Sequence, residues 1–171
     1  FVYELVSLSV QAPQSERILS PFFVTRSIGV QLSGPLAGDR MTWAAGWFND
    51  WLDTDLGFHD NADDYVGRLT ALPFVSEDNQ NYLHLGLGYR RVGDDAGILR
   101  FSGRPESNVA DKFLDTGNFA GEYAQQLSLE AIWNRGPFML AAEHVDAWVE
   151  APESGDPHFR GSYLLAAWIL T

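Results

Sequence analysis

Five arginines carry the clearest chemical signal in this chain: Arg68, Arg90, Arg100, Arg104 and Arg160. A guanidinium stays charged at any physiological pH, and its planar fork of N–H donors matches the oxygen edge of a phosphate or carboxylate. Spaced along one surface, such groups pass an anion from one to the next if each holds it weakly enough to release it. Other chemistry is sparse. His59, His84, His144 and His158 are scattered and lack a metal-ligand spacing such as His-Glu-x-x-His. No Gly-x-Ser-x-Gly elbow and no phosphate-binding glycine loop occurs. Asp115, Thr116 and Gly117 spell an aspartic-protease motif, but a single copy in an expected loop supplies only one of the two carboxylates that chemistry needs. With no cysteine in the chain, disulfides and thiolate zinc sites are excluded. The expectation is no metal, no cofactor and no enzymatic activity.

The elements that position the arginines are strands. In residues 81–90, Leu83, Leu85, Leu87 and Tyr89 alternate with His84, Gly86, Gly88 and Arg90. A two-residue period sends the first set to one face and the second to the other. The pattern recurs, with Ile28, Val30 and Leu32 against Gly29, Gln31 and Ser33, and Met41, Trp43, Ala45 and Trp47 on a common face. Leu127, Leu129, Ala131 and Trp133 likewise oppose Gln126, Ser128, Glu130 and Ile132. Residues 64–72, 98–103, 138–149 and 159–170 complete about eight strands with no helical period. Roughly ten-residue alternating segments separated by turns predict an all-β fold, an antiparallel transmembrane β-barrel. Alternation sends Arg68, Arg90, Arg100 and Arg160 to the lumen and Trp43, Trp47, Tyr65, Tyr89, Trp133 and Tyr163 outward. Arg104 and Lys112 lie in an irregular stretch, residues 104–120, and line a constriction if it folds inward. One count resists: short turns belong on one side of the membrane, yet residues 134–137 fall on the long-loop side. Either residues 104–120 hide another crossing or they fold into the lumen.

Composition agrees. No apolar run approaches the roughly 18 residues of a membrane helix, and mean hydropathy is only −0.14. A barrel escapes that test because half of its strand residues face water. Six Trp within 13% aromatics suit interfacial girdles. A net charge of −12 without a basic stripe excludes nucleic acid as a partner. The acids gather in expected loops, Asp50, Asp53, Asp55, Asp60, Asp63 and Asp64, then Asp94 and Asp95, then Glu150, Glu153 and Asp156. Solvated loop charge is the simplest account of them. Phe1 starts within an apolar run and the chain stops at Thr171 without a polar tail, so residues 1–171 are expected to be one partial barrel domain.

Residues 104–117, which open on Arg104, Pro105, Glu106 and Ser107 and close on Asp115, Thr116 and Gly117, followed by residues 129–138, resemble the phosphate-selective porin O and P family. Glu16 and Arg17, residues 29–31, 43–49 and 83–86 add partial matches in family order. The resemblance implies a water-filled barrel of about 16 strands, usually a homotrimer, in the Gram-negative outer membrane among lipid and lipopolysaccharide. It also implies passive uptake of small anions, possibly phosphate, along lumen arginines. This chain would be roughly the C-terminal half of such a barrel. Two rivals remain at this stage: a self-contained eight-stranded barrel serving as anchor or adhesin, and a soluble β-sandwich binding module.

Overall fold

The computed structural model describes residues 19, 22, 28–38, 40–49, 63–93, 97–103, 111–112 and 114–170. The acidic groups at Asp50, Asp53, Asp55, Asp60, Asp94 and Asp95, together with His59 and Arg104, lie outside the described residues. Eleven strands occur among the described residues: β1 Ile28–Leu36, β2 Met41–Asn49, β3 Asp63–Val75, β4 Asn81–Gly93, β5 Ile98–Leu99, β6 Ser102–Gly103, β7 Leu114–Asp115, β8 Phe119–Ala120, β9 Tyr123–Arg135, β10 Phe138–Glu150 and β11 His158–Trp168. Seven of them form one antiparallel sheet in the order β1-β2-β3-β4-β9-β10-β11.

Register converts the sequence alternation into two coherent faces. Trp43, Leu69, Leu87, Leu129 and His144 share one row across β2, β3, β4, β9 and β10. Because every second residue turns the same way, that row fixes the whole outer face. Leu85 and Leu87 are 42% and 43% exposed on it, and Arg90, on the other face of the same strand, is 7% exposed. Pro73 sits where the β3–β4 register shifts between Ala71 and Phe74, the kind of irregularity at which a strand tolerates proline. The shift also returns Phe74 to the outer side, opposite Leu83.

The resistant count resolves here. The short β1–β2, β3–β4 and β9–β10 connections lie at one end of the sheet, and Asn49 with Asp63, Gly93 with Tyr123 and Glu150 with His158 mark the other. Arg135 and Phe138 face each other across the two-residue turn, whose first member, Gly136, has φ +55°, as a tight hairpin requires. Gly93 and Tyr123 are register partners, so the chain leaves β4 and re-enters at β9 at the same end of the sheet. Residues 98–103, expected as a strand of the sheet, instead form β5 and β6 and pair with β8 and β7 in a small hairpin. Among the described residues the main sheet therefore has seven strands, with residues 98–103 outside it.

That hairpin packs on the inner face. Leu99 and Phe101 join Leu19, Phe22, Ala124, Val145, Ala147, Val149 and Ala151 in the apolar core, with Phe119, Phe159 and Tyr163 against it. The Phe101 ring lies 5.0 Å from that of Phe159 and 6.1 Å from that of Phe22. Alanines at 124 and 147 leave the wall shallow enough for these rings to sink into it. Phe101→Ala should release the hairpin at a cost of about 3 kcal/mol. Limited proteolysis checks this: cleavage between Gly103 and Leu114 should accelerate while β9 to β11 stay resistant, and an unchanged rate would contradict the packing.

Candidate functional site on the inner wall

The inner face of β1 to β4 and β9 is built from small and polar side chains, and it encloses a hollow of about 400 Å³. Gln31, Thr42, Thr70, Arg68, Ser128 and Glu130 supply its polar lining. All share the parity of Arg68 along their strands, which is the signal in the sequence that groups them. Arg68 on β3 donates from Nη2 to Glu130 Oε1 on β9, and His84 Nε2 on β4 lies 3.1 Å from the same oxygen. The pair spans the intervening strand. Gly88 is the register partner of Arg68 and Gly86 that of Glu130, so β4 offers no side chain to obstruct them. A Cβ on Gly86 would run into the carboxyl group of Glu130. These two glycines are therefore the passage through which a charge on β3 reaches a charge on β9.

Arg90 sits deeper. Its Nε and Nη2 donate to both oxygens of Asp64 at 2.9 and 2.6 Å, and its Nη1 donates to the Phe22 carbonyl at 3.3 Å. Both partners are buried, so this bidentate pair braces the wall and is shielded from the hollow. Arg100 stands on the hairpin, on the inner side of the wall. Leu99 and Phe101 turn into the core, leaving Arg100 exposed and doubly hydrogen bonded to Asp115 at 2.8 and 2.6 Å. Lys112 reaches the same carboxylate at 3.4 Å. Gly117 N donates to Asp115 and Phe101 N donates to the Thr116 hydroxyl, so the Asp-Thr-Gly run closes a turn of the hairpin.

Arg160 is a correction. It occupies the outer face, as the register partner of Asp146, and Phe159, Gly161 and Tyr163 turn inward instead. The core explains the inversion: the hairpin makes the inner face of β10 and β11 apolar, so polarity and direction change places there. Tyr163, expected among the outward aromatics, belongs to the inner set for the same reason. An arginine facing lipid costs about 2–4 kcal/mol at mid-depth and little near the interface. Asp64, the partner of Arg90, was not singled out from the sequence as a bracing group. In the sequence it stands at the end of an acidic run and reads as one more loop acid.

Removing one member of a buried pair strands the other. Asp64→Asn should lower the stability of the wall by about 3 kcal/mol, seen as an earlier urea midpoint, while Asp115→Asn on the exposed pair should move it little. Acid acts differently on Asp115, whose carboxyl is held well below the usual range by the hydrogen bond from Arg100, with help from the Gly117 amide. A depressed native value means that the stabilisation is complete above the unfolded pKa, about 4, and fades as pH falls below it. Amide exchange at residues 114–117, corrected for intrinsic rates, should be faster at pH 3 than at pH 7; equal protection would contradict the pairing.

No curated protein matches the chain. The family model described as phosphate-selective porin O and P matches residues 19–171, which covers the whole of the seven-stranded sheet, its inward hairpin and the polar hollow. The two-faced antiparallel wall is the architecture such a match requires, and the chain belongs to the phosphate-selective porin O and P family.

Proposed function

We propose that this chain forms part of the wall of a water-filled barrel in the Gram-negative outer membrane, that it admits small anions, phosphate among them, by passive diffusion, and that the assembly is a homotrimer surrounded by lipid and lipopolysaccharide. Its work is positioning and selectivity, with no chemical step. The observation that carries the reading is Arg68. It lines the hollow on the inner face and is partly exposed there. Of its five N–H donors, the one shown engaged is directed at Glu130. The remaining edge suits a transient anion, and the neighbouring carboxylate weakens the hold enough for release.

The ring needs further strands. Among the described residues β1 and β11 are the two edges of the sheet, and they run in the same direction. Unpaired edge groups are not viable in hydrocarbon, so the reading requires the ring to be completed to the larger barrel class of about 16 strands. The same directional match argues against a small barrel closed by β1 and β11 as antiparallel neighbours. The exposed Leu and Trp rows argue against a soluble sandwich. Arg104 is proposed as a further lining cation, and Arg100 and Lys112 as a paired cationic station on the hairpin.

Planar-bilayer recordings of the full-length protein under chloride and then phosphate gradients test this. A unit charge near the solute path is worth on the order of 1 kcal/mol in water-like surroundings, so Arg68→Gln should lower the anion-to-cation permeability ratio about five-fold. Glu130→Gln should raise it. A ratio unmoved by Arg68→Gln, or cation preference in the parent protein, would overturn the proposal.

A further inference from the structure

The outward face is edged by two belts. At the end away from the short turns, one register row runs through Trp47, Tyr65, Arg91, Gln125, Trp148 and His158. At the short-turn end Asn81, Arg135, Phe138 and Trp168 form the matching row, where the Phe138 and Trp168 rings stack at 5.2 Å. Arg91 and Asn81 are ten residues apart on β4, as are Trp148 and Phe138 on β10. Ten residues rise roughly 33 Å along a strand. At a tilt of about 40° that is about 25 Å of depth, the height of the apolar band in a membrane barrel. Tryptophan and tyrosine mark the headgroup levels, and the row of Leu69, Leu87 and Leu129 lies between the belts.

The belt away from the short turns carries two guanidinium groups without an anion. Arg91 is exposed and lies over the Tyr123 ring at 4.6 Å, and it makes no ion pair among the described residues. Arg160 is exposed and equally unpaired among them. It stands two residues along β11 from His158, about 5 Å deeper. Its long stem spans that distance and brings the charge back to headgroup level. The acids of the belt are engaged elsewhere. Asp63 accepts from Trp47 Nε1 at 2.9 Å, and Asp146 lies 2.8 Å from His158 Nε2 and 2.9 Å from His144 Nε2. Glu150 is met by the Tyr123 side chain. Free positive charge is therefore what this belt offers a ligand.

We infer that this belt holds the phosphorylated headgroup of lipopolysaccharide, with Arg91 and Arg160 on its phosphates and its acyl chains on the exposed Leu87, Leu129 and Leu164 below. This rests on the barrel reading above, which sets the short turns in the periplasm and this belt in the outer leaflet. It adds which residues take the lipid that surrounds the wall. A guanidinium fork meets two oxygens of one phosphate at once. β4 and β11 are three strand spacings apart in the sheet, about 14 Å, so the two arginines suit a headgroup with more than one phosphate. A phospholipid with a single phosphate engages one of them at a time. In the opposite row Arg135 stands alone toward the inner leaflet, a comparison within the same molecule.

Native mass spectrometry of the full-length protein in detergent, titrated with bisphosphorylated lipid A, reads the affinity. EDTA is present, so that divalent ions do not bridge phosphate to the acids. Arg91→Gln with Arg160→Gln should weaken binding about thirty-fold, whereas Arg135→Gln should leave it unchanged. Phosphatidylglycerol, with its single phosphate, should bind the parent protein more weakly than lipid A does, a comparison that stands whatever the variants do. Bilayer conductance is recorded for each variant and shows that it folds. A conducting double variant that keeps its affinity overturns the inference alone, as does an equal loss in Arg135→Gln or equal affinity for phosphatidylglycerol. A parent protein that neither conducts nor enters vesicles overturns the barrel reading and the inference with it.

Discussion

Hydrocarbon cannot hydrogen bond, and that constraint governs everything else in this wall. Each backbone N–H and C=O that enters the membrane must find its partner inside the protein, which antiparallel strands achieve by pairing with neighbours on both sides. Once the backbone is committed to strands, the side chains have only two directions. The outer direction selects Leu, Ala and aromatic residues, as in the row from Trp43 through Leu69 and Leu87 to Leu129. The inner direction is free to carry charge.

The inner direction is used unevenly. Toward β10 and β11 the hairpin fills the interior side with Leu99, Phe101 and Phe119, so the wall there is thick and dry. Toward β1 to β4 the wall is thinned by Ala44, Gly46 and Gly88, and the polar hollow opens. Charges in the thin half are balanced in pairs. Arg90 is consumed by Asp64, whereas Arg68 is shared with Glu130 and His84 at the edge of the hollow. Of these two pairs, only that of Arg68 borders the hollow.

Much of this was legible in the sequence because a strict two-residue period survives wherever one face meets lipid and the other meets water. The outward rows of β2, β3, β4 and β9 follow from that alone. Three things were not legible. Residues 98–103 alternate like a membrane strand, but alternation reports only that one side is buried, and here the burying surface is the inner wall. The same hairpin reverses the polarity of β11, so Arg160 and Ser162 face out and Tyr163 faces in. Alternation already makes Glu130 and Glu143 candidate inner partners for the arginines, but it does not say which acid meets which arginine. Arg68 and Glu130 are 62 residues apart and two strands removed, and only the register reveals that Gly86 and Gly88 clear the space between them.

The central claim is that successive residues of β4 alternate between hydrocarbon and an aqueous conduit. Single cysteines at Leu83, His84, Leu85, Leu87 and Gly88 of the full-length protein, challenged in intact outer membranes with a charged, membrane-impermeant thiol reagent, test it most directly. Rapid labelling at 84 and 88 with protection at 83, 85 and 87 is the expected alternation. Uniform labelling, or reaction at the leucine positions with protection at 84 and 88, would contradict it.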